Sequence, residues 1–449
     1  MKSIYKKFNQ IKLFVAKHRA TISFVISFSF LIILKMLNTS QVQVFTNFSL
    51  DNYQKIFKYS LKESPVVIID IDEKSLGEVG QFPWNRKIFS SLLDNLSSAQ
   101  PSTIAFDVFF SEEDKLNPRQ VIKAFNIEQD SLLAKEILKL PNSDDLFLNS
   151  ISKSNVVMPI LGQVTKPVKN TESRPLVNFI FKGPDLNINQ FLYKFPYVVT
   201  SLSTINEKAK GIGSISRVGN TEGVLRKAPL LINMQGQIYP ALSIEALRLH
   251  LKEKNILVLS DENGIKDIKL RPYNIDVDAN SMIWIKYKKS KSDQYISAVD
   301  VLNENFDSNK IKGKILLIGS SAQGLFDFTH ISNGKVIPGV EVHANIIENI
   351  VNDNYLRRNT FTFLIEIIML ISGMFLAFYV AGNISMKHGL TAYTIIATTI
   401  TFIGLLFYRF ENYLIDVTYP IFCLNLLYFN RLYFRYLDTN DPLTNKKKK

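Results

Sequence analysis

Four apolar segments frame this 449-residue chain, and they decide which solvent each part of it can fold in. One segment lies near the N-terminus and three lie close together near the C-terminus. A helix rises 1.5 Å per residue and needs about 17 to 25 apolar residues to cross a bilayer. The predicted spans are residues 20–37, 361–382, 390–408 and 412–430. The sequence therefore predicts four transmembrane helices, one before and three after a large polar block at residues 38–358.

The basic residues orient these spans, because Lys and Arg close to span ends remain on the cytoplasmic side. The N-terminal tail, residues 1–19, contains six basic residues and no acidic one, and the C-terminal tail, residues 431–449, is also basic. Lys387 lies in the short loop between the second and third spans. Two cytoplasmic tails and an external block satisfy all three observations. A cleaved signal peptide is the alternative for the first span, but no small-x-small cleavage pattern follows Lys35.

Charge and cysteine content narrow the class of protein. The formal net charge is +13 and the isoelectric point is near 9.4, values that can indicate a nucleic-acid partner. The two tails carry most of this charge, so we expect contacts with anionic lipid and no nucleic-acid partner. Cys423 is the only cysteine and lies in the fourth predicted span. The external block therefore has neither a disulfide nor a cysteine zinc site, and its own core must stabilise it.

The external block has the pattern of an α/β fold with a mainly parallel sheet. Residues 66–72, 103–110 and 315–321 are short apolar runs without alternation, which suits strands buried on both faces. Helical spacing of apolar residues follows the first run at 86–97 and the last run at 340–355. Strand, helix and strand in succession predict a βαβ unit with a right-handed crossover. Polar stretches at residues 111–150 and 163–200 are interpreted as insertions.

Several sequence motifs occur in order along the external block. The first are IDIDEKSL at 69–76, FPWNR at 82–86 and IAFDVFF at 104–110. The next are GVLRKAPL at 223–230 and PALS at 240–243, and the last are GKILLIGSS at 313–321, Asp327 and PGVEVHAN at 338–345. These motifs resemble those of the type-two CHASE (CHASE2) sensor domain, and the resemblance extends from about residue 40 to residue 358. It implies an extracytoplasmic ligand-sensing module in a signalling protein of a bacterial inner membrane.

The same resemblance implies an intracellular output domain, such as an adenylate cyclase, a diguanylate cyclase or a kinase. Here the residues after the last span are few, although DPLTN at 441–445 resembles the opening of a GGDEF diguanylate cyclase domain. The lysines at 446–449 fit either a truncated gene or a basic membrane anchor. We therefore expect a receptor without a catalytic output in this chain, with a small-molecule or periplasmic signal and a homodimeric state. The alternatives are a cyclase remnant and an adaptor for another membrane protein.

Three carboxylates lie at the carboxyl ends of neighbouring predicted strands, where open α/β sheets bind ligands. Asp70, Asp72 and Asp107 could form a sensory ligand or cation pocket, or could cap the helices that follow. Asp-x-Asp also permits a membrane-anchored phosphate-ester hydrolase, with Asp70 and Asp72 acting around Mg²⁺. The residue two after the second Asp is Lys74 instead of the Thr or Val expected there, so the sequence favours a receptor over an enzyme.

A turn rich in Gly and Ser follows the predicted strand at 315–321. Its Ser320 and Ser321, with Asp327 further on, could line the same pocket and direct backbone N–H groups at an anion. The turn lacks the Gly-Lys-Ser/Thr ending of a phosphate-binding loop, so a structural turn is the alternative. His330 and His343 match no metal-ligand spacing. The sequence predicts no metal and no cofactor.

Three ionisable residues fall inside or beside the predicted spans. Lys35, Glu366 and Asp416 all lie near the outer ends of their spans, in the same leaflet under the predicted topology. Intramembrane charges are costly and are usually paired. We expect Lys35 to pair with Glu366 or Asp416 and to couple the first span to the others. Extension of the Lys35 side chain to the membrane interface is the alternative.

Overall fold

The computed structural model describes residues 2–61, 63–167, 173–184, 187–218, 222–289, 292–325 and 327–440, with side chains from residue 18 to residue 439. In these residues the α-helices are α1 (Lys2–Leu37), α2 (Ser40–Ile56), α3 (Glu73–Val79), α4 (Arg86–Ser98), α5 (Pro118–Ala124), α6 (Leu132–Ile137), α7 (Ser143–Ser152), α8 (Ser203–Lys208), α9 (Leu242–His250), α10 (Ala298–Leu302), α11 (Gly339–Val351), α12 (Thr360–Asn383), α13 (Met386–Phe410) and α14 (Thr418–Asn440).

The strands of the described residues are β1 (Val66–Ile71), β2 (Thr103–Phe106), β3 (Val156–Gln163), β4 (Asn178–Lys182), β5 (Lys194–Phe195), β6 (Tyr197–Thr200), β7 (Gly211–Ser214), β8 (Val224–Leu225), β9 (Lys227–Pro229), β10 (Leu231–Met234), β11 (Gln237–Pro240), β12 (Asn255–Asp261), β13 (Gly264–Leu270), β14 (Tyr273–Asp276), β15 (Met282–Trp284), β16 (Tyr295–Ser297), β17 (Ile315–Ser320), β18 (Phe328–Ile331) and β19 (Val336–Pro338).

The chain divides into two compact units. The helical unit contains the described residues of Met1–Phe57 and Arg358–Lys449, and the α/β unit contains those of Lys58–Arg357. The α/β unit thus begins about twenty residues later than the predicted block at 38–358, because α2 packs within the helical unit. The predicted start of an output domain at 441–445 and the lysine run at 446–449 lie outside the described residues.

Three helices of the helical unit are long and apolar enough to cross a membrane. They are the His18–Leu37 part of α1, with a mean hydropathy of 2.1, α12 with 2.3 and α13 with 1.9. Helix α1 bends at His18, where φ is −113°. These three agree with the predicted spans at 20–37, 361–382 and 390–408. Helix α14 overlaps the fourth predicted span, 412–430, but is not among the candidate spans found in the described residues, so a fourth crossing stays a prediction.

A seven-stranded sheet forms the centre of the α/β unit. Its strand order is β16-β1-β17-β2-β3, and β3 then pairs with both β6 and β7. Only the β3–β6 pairing is antiparallel within this sheet, so the predicted mainly parallel sheet is confirmed. The structure corrects one detail of the βαβ interpretation. Strand β17, from the far end of the unit, lies between β1 and β2, so the strands that precede Asp72 and Asp107 are not neighbours.

Helices cover both faces of this sheet. Side chains of β1 alternate, with Ile68 in the core that also contains residues of α9 and α11, and Ile69 in the core that contains residues of α4, α7 and α10. All six residues of β1 are buried. Burial on both faces explains why the strand sequences are continuous apolar runs. At Gly319 of β17, a Cβ atom would lie 2.6 Å from the Cβ of Val340, so α11 packs directly against the strand at this position.

Smaller sheets surround the central one. The largest has the order β14-β13-β12-β4, and the others are β11-β10-β5, β19-β18-β8 and the β15–β9 pair. The stretches interpreted as insertions are part of the fold. Helix α7, within the first, buries Phe147 in the core, and β6, within the second, joins the central sheet.

Candidate functional site

Strand β1 has a buried carboxylate, that of Asp70, near its C-terminal end. Asp70 is 6% exposed, and its two carboxylate oxygens accept hydrogen bonds from the Ser321 backbone N–H (2.8 Å) and the Ser321 hydroxyl (2.6 Å). Burial raises the pKa of the Asp70 carboxyl to about 6, against the lowering effect of these two hydrogen bonds. The predicted proximity of Asp70 and Ser321 is therefore present, as a link between β1 and the turn after β17.

Asp72 performs the helix-capping role that the sequence left open. One of its oxygens accepts hydrogen bonds from the Ser75 backbone N–H (2.8 Å), the Ser75 hydroxyl (2.7 Å) and the Ser297 hydroxyl (2.8 Å). This arrangement satisfies an N–H group at the start of α3 and ties that helix to β16. Lys74, which follows it, is 2.5 Å from Asp300 and 49% exposed. These contacts support capping rather than a nucleophile with a neighbouring acid.

The Gly-Ser turn after β17 uses its backbone N–H groups internally. The N–H of Ala322 donates to the Ser320 hydroxyl (3.1 Å), which in turn donates to the Ile71 carbonyl (3.0 Å). The N–H of Gln323 donates to Glu73 (2.9 Å). Together with the Ser321 N–H on Asp70, three successive N–H groups have protein acceptors. The turn therefore fits the structural alternative better than an anion cradle.

Asp107 belongs to a separate group of charges. Its backbone N–H donates to the Ile318 carbonyl (2.8 Å), and its Oδ2 is buried without a hydrogen-bond partner among the described residues. Burial raises the pKa of Asp107, the nearby Asp327 carboxylate raises it further, and the Arg217 guanidinium lowers it. Asp327 forms an ion pair with Arg217. The structure thus brings Asp107 and Asp327 together electrostatically, through an arginine that the sequence did not single out.

His343 lies on α11 within reach of the same guanidinium. Burial and, to a smaller extent, the positive charge of Arg217 lower the pKa of His343 to about 3, so the imidazole is neutral at physiological pH. Its Nδ1 has no hydrogen-bond partner in the part of the chain that the structure describes. His330 lies on β18 and is exposed. The described residues contain no group of three His, Cys, Asp or Glu that could hold a metal ion.

Glycine at the start of α11 makes room for the Arg217–Asp327 pair. The Gly339 N–H donates to the Asp327 carbonyl (2.9 Å). A Cβ atom at Gly339 would overlap both the guanidinium of Arg217 and the carboxylate of Asp327. The motif PGVEVHAN therefore contributes Gly339 for close packing and His343 for the polar group.

The helical unit contains a second polar group, at the three candidate coupling residues. The Lys35 ammonium lies 2.9 Å from a Glu366 oxygen and 2.8 Å from an Asp416 oxygen, and all three side chains are almost fully buried. Arg358 also pairs with Glu366, at 2.5 Å, so two cations face two carboxylates. The structure brings together the three residues that the sequence placed in one leaflet. Their role in coupling stays a prediction.

Helix α2 adds hydroxyl groups to this cluster. Ser49 donates to Asp416 (3.2 Å) and shares a hydrogen bond with the Thr418 hydroxyl (2.7 Å), while Tyr53 donates to the Ile415 carbonyl (3.0 Å). Asp416 also accepts the backbone N–H groups of Thr418 and Tyr419 at 3.1 Å each, which caps the start of α14. Each charged side chain of this cluster has ion-pair or hydrogen-bond partners, as buried charges require.

Comparison with known proteins identifies the family. A scan against family models matches the CHASE2 domain over residues 26–380, which is most of the chain. Searches of curated proteins and of solved structures gave no significant match. The match begins inside the first candidate span and ends inside the second, so it includes the whole α/β unit. CHASE2 domains are extracytoplasmic sensor domains, and this chain belongs to the CHASE2 domain family.

Proposed function

We propose that this chain is a transmembrane signalling receptor of a bacterial inner membrane. Its α/β unit detects a small-molecule signal outside the cytoplasm, and its helical unit transmits the change in a homodimer. The observation that carries the proposal is the extent of the family match, which includes the α/β unit together with parts of the helices before and after it. The match thus supports a receptor in which the sensing unit and its membrane helices belong together.

The buried ion cluster supports transmission through the helical unit. Lys35 on α1, Glu366 on α12 and Asp416 before α14 meet at hydrogen-bonding distance, and α2 contributes Ser49. Elements joined by such a cluster move together, because separating one charge from its partners costs about 3–5 kcal/mol in a buried setting. A signal shifts the receptor between two arrangements by no more than its difference in affinity for them.

The proposal includes four membrane crossings with both termini in the cytoplasm. The test is cysteine labelling in spheroplasts, on a Cys423→Ser background that removes the only native thiol. Single cysteines are introduced at Asp130 in the α/β unit, Lys387 between α12 and α13, and Thr439 at the end of α14, all exposed positions. A membrane-impermeant maleimide should label the Asp130→Cys variant in intact spheroplasts, and the other two variants only after permeabilisation.

The third cysteine distinguishes the possible span counts. If α14 does not cross the membrane, Thr439→Cys is labelled in intact spheroplasts while Lys387→Cys is not. Labelling of Lys387→Cys from outside, or protection of Asp130→Cys, would contradict an external sensor unit. Permeabilised samples of each variant provide the control for thiol accessibility.

A further inference from the structure

The α/β unit contains an open cleft away from the sheet edge that the sequence singled out. The cleft has a volume of about 680 Å³ and lies between α8, β7 and the turn that joins β10 to β11. Ile212 and Asn206 form its buried floor, at 2% and 6% exposure. Its volume is within the usual range of small-molecule sites, about 300–1,000 Å³.

Asn206, on the floor of this cleft, has a buried side-chain acceptor without a partner in the described part of the chain. Its Nδ2 donates to the Thr200 hydroxyl (2.8 Å) and to the Ser201 carbonyl (3.1 Å). A carbonyl can only accept, so this contact fixes which end of the amide is the nitrogen. The Oδ1 atom is buried and has no hydrogen-bond partner among the described residues. A buried acceptor of this kind is usually satisfied by an ordered water molecule, so the floor of the cleft is partly polar.

Two opposite charges stand at the rim of the same cleft. Arg174 and Glu207 both line it and are both exposed. In the part of the chain that the structure describes, neither side chain has an ion pair or a hydrogen bond. Gln235 and Gln237 line another part of the cleft with amide groups, and Leu176 and Ile212 supply apolar surface. A cleft lined by a cation and an anion that are not paired with each other is complementary to a molecule that carries both charges.

We propose that this cleft binds a small zwitterion, either an α-amino acid or a dipeptide. Arg174 binds the ligand carboxylate and Glu207 binds its ammonium group, above the floor that Asn206 and Ile212 form. This inference rests on the proposed receptor function, since it names the class of signal. It assigns the site to α8 and the β10–β11 turn instead of the carboxylates at the sheet edge, whose groups are largely satisfied by protein contacts.

The test uses the full-length protein in detergent micelles. Titration calorimetry with each of the twenty protein amino acids and with dialanine identifies the tightest probe. That probe is compared with its N-acetyl derivative, which lacks the ammonium group, and with its carboxamide, which lacks the carboxylate. We expect each derivative to bind at least tenfold more weakly, because each leaves one rim charge without its partner.

Two variants connect each charge to its residue. Arg174→Gln should lower the affinity for the probe at least tenfold but leave the affinity for the carboxamide unchanged. Glu207→Gln should also lower the affinity for the probe at least tenfold, but leave the affinity for the N-acetyl derivative unchanged. Arg119→Gln and Glu128→Gln, at exposed positions outside the cleft, are the matched controls and should bind like the wild type. The cleft charges are exposed, so their replacement should not unfold the protein.

The proposal is overturned if no amino acid or dialanine binds with a dissociation constant below 1 mM. It is also overturned if the derivatives bind as well as the probe, or if both rim variants retain wild-type affinity. Binding of a neutral sugar such as trehalose with greater affinity than any zwitterion would likewise overturn it. The cysteine labelling is independent of any ligand, so a failed titration with the expected labelling rejects the zwitterion and leaves the receptor topology standing.

Discussion

At the scale of single residues, Asp70 shows how a polar group is accommodated at the end of a buried strand. Its carboxylate is almost inaccessible, yet it accepts two hydrogen bonds from Ser321. Desolvation still dominates and raises the pKa of Asp70 to about 6. Burial therefore disfavours the charged form of Asp70 in the folded protein. The stability of the link that Asp70 makes between β1 and the turn after β17 should depend on pH.

This link predicts the effect of pH on stability. The pKa of the Asp70 carboxyl is 3.8 in the unfolded chain and about 6 in the folded protein. Between these pH values the folded state therefore binds more protons than the unfolded state. The free energy of unfolding should therefore fall as pH rises through that window, by at most about 3 kcal/mol. Asp70→Asn cannot ionise and retains an acceptor for Ser321. Its melting temperature, relative to wild type, should be higher at pH 7 than at pH 4.

Exposed Asp130 provides the control for this comparison. The melting temperature of Asp130→Asn should vary with pH as that of the wild-type protein does, because the Asp130 side chain is exposed. The explanation for Asp70 fails if Asp70→Asn and wild type differ by the same amount at both pH values. Asp107 is unchanged in all three proteins, so its own raised pKa does not enter the difference.

The charged groups at the sheet edge mark the limit of what the sequence showed for single residues. Asp70 with Ser321 could be predicted, because both follow strands that end at one edge of a parallel sheet. Arg217 and its ion pair with Asp327 could not, because 110 residues separate them and Arg217 lies in a loop without periodicity. The notion of Asp70, Asp72 and Asp107 as one pocket also assumed that their strands were neighbours, whereas β17 separates β1 from β2.

At the scale of elements, α2 is the helix that sequence reasoning missed. Its buried positions include Val42, Thr46, Ser49, Leu50 and Tyr53, which have helical spacing. Three of these, Thr46, Ser49 and Tyr53, carry hydroxyl groups, so the stripe does not register as apolar periodicity. Its buried partners include charged groups as well as an apolar core, and only the assembled unit shows this combination. The strands β1 and β17 were predictable for the opposite reason, since burial on both faces leaves an unbroken apolar run.

The ion cluster beneath α2 predicts a compensating pair of substitutions. Lys35→Met leaves two carboxylates facing Arg358 alone, and Asp416→Asn leaves two cations facing Glu366 alone. Each single change should destabilise the helical unit by about 3–5 kcal/mol, because it leaves a buried charge uncompensated. The double variant restores neutrality and should be less destabilised than either single one. Thermal unfolding of the full-length variants in lipid nanodiscs measures this.

Lys55→Met is the matched control, because Lys55 is exposed on α2 and outside the cluster. It should unfold at the wild-type temperature. If the double variant is as unstable as the worse single variant, the charges do not compensate each other. The coupling role of Lys35 would then be abandoned in favour of separate contributions to packing.

At the scale of the whole molecule, the order of segments was predictable and the boundary between units was not. Apolar runs long enough to cross a bilayer are visible in any sequence, and three of the four predicted spans are candidate spans in the structure. The boundary at residue 38 was placed at the end of an apolar run, whereas the compact α/β unit begins at Lys58. Membership of a unit depends on contacts of α2 that lie more than 300 residues away along the chain.

This boundary predicts which fragment of the protein is autonomous. Residues 58–357 contain two apolar cores on opposite faces of one sheet and no cysteine, so they should fold alone and unfold cooperatively whether or not a reductant is present. A fragment of residues 38–357 should gain no stability and should elute as larger species, because α2 would expose Leu50 and Tyr53 without their partners. Circular dichroism melting and size-exclusion chromatography with light scattering compare the two. If the longer fragment is monomeric and melts at a higher temperature, α2 belongs with the α/β unit and the boundary at Lys58 is wrong.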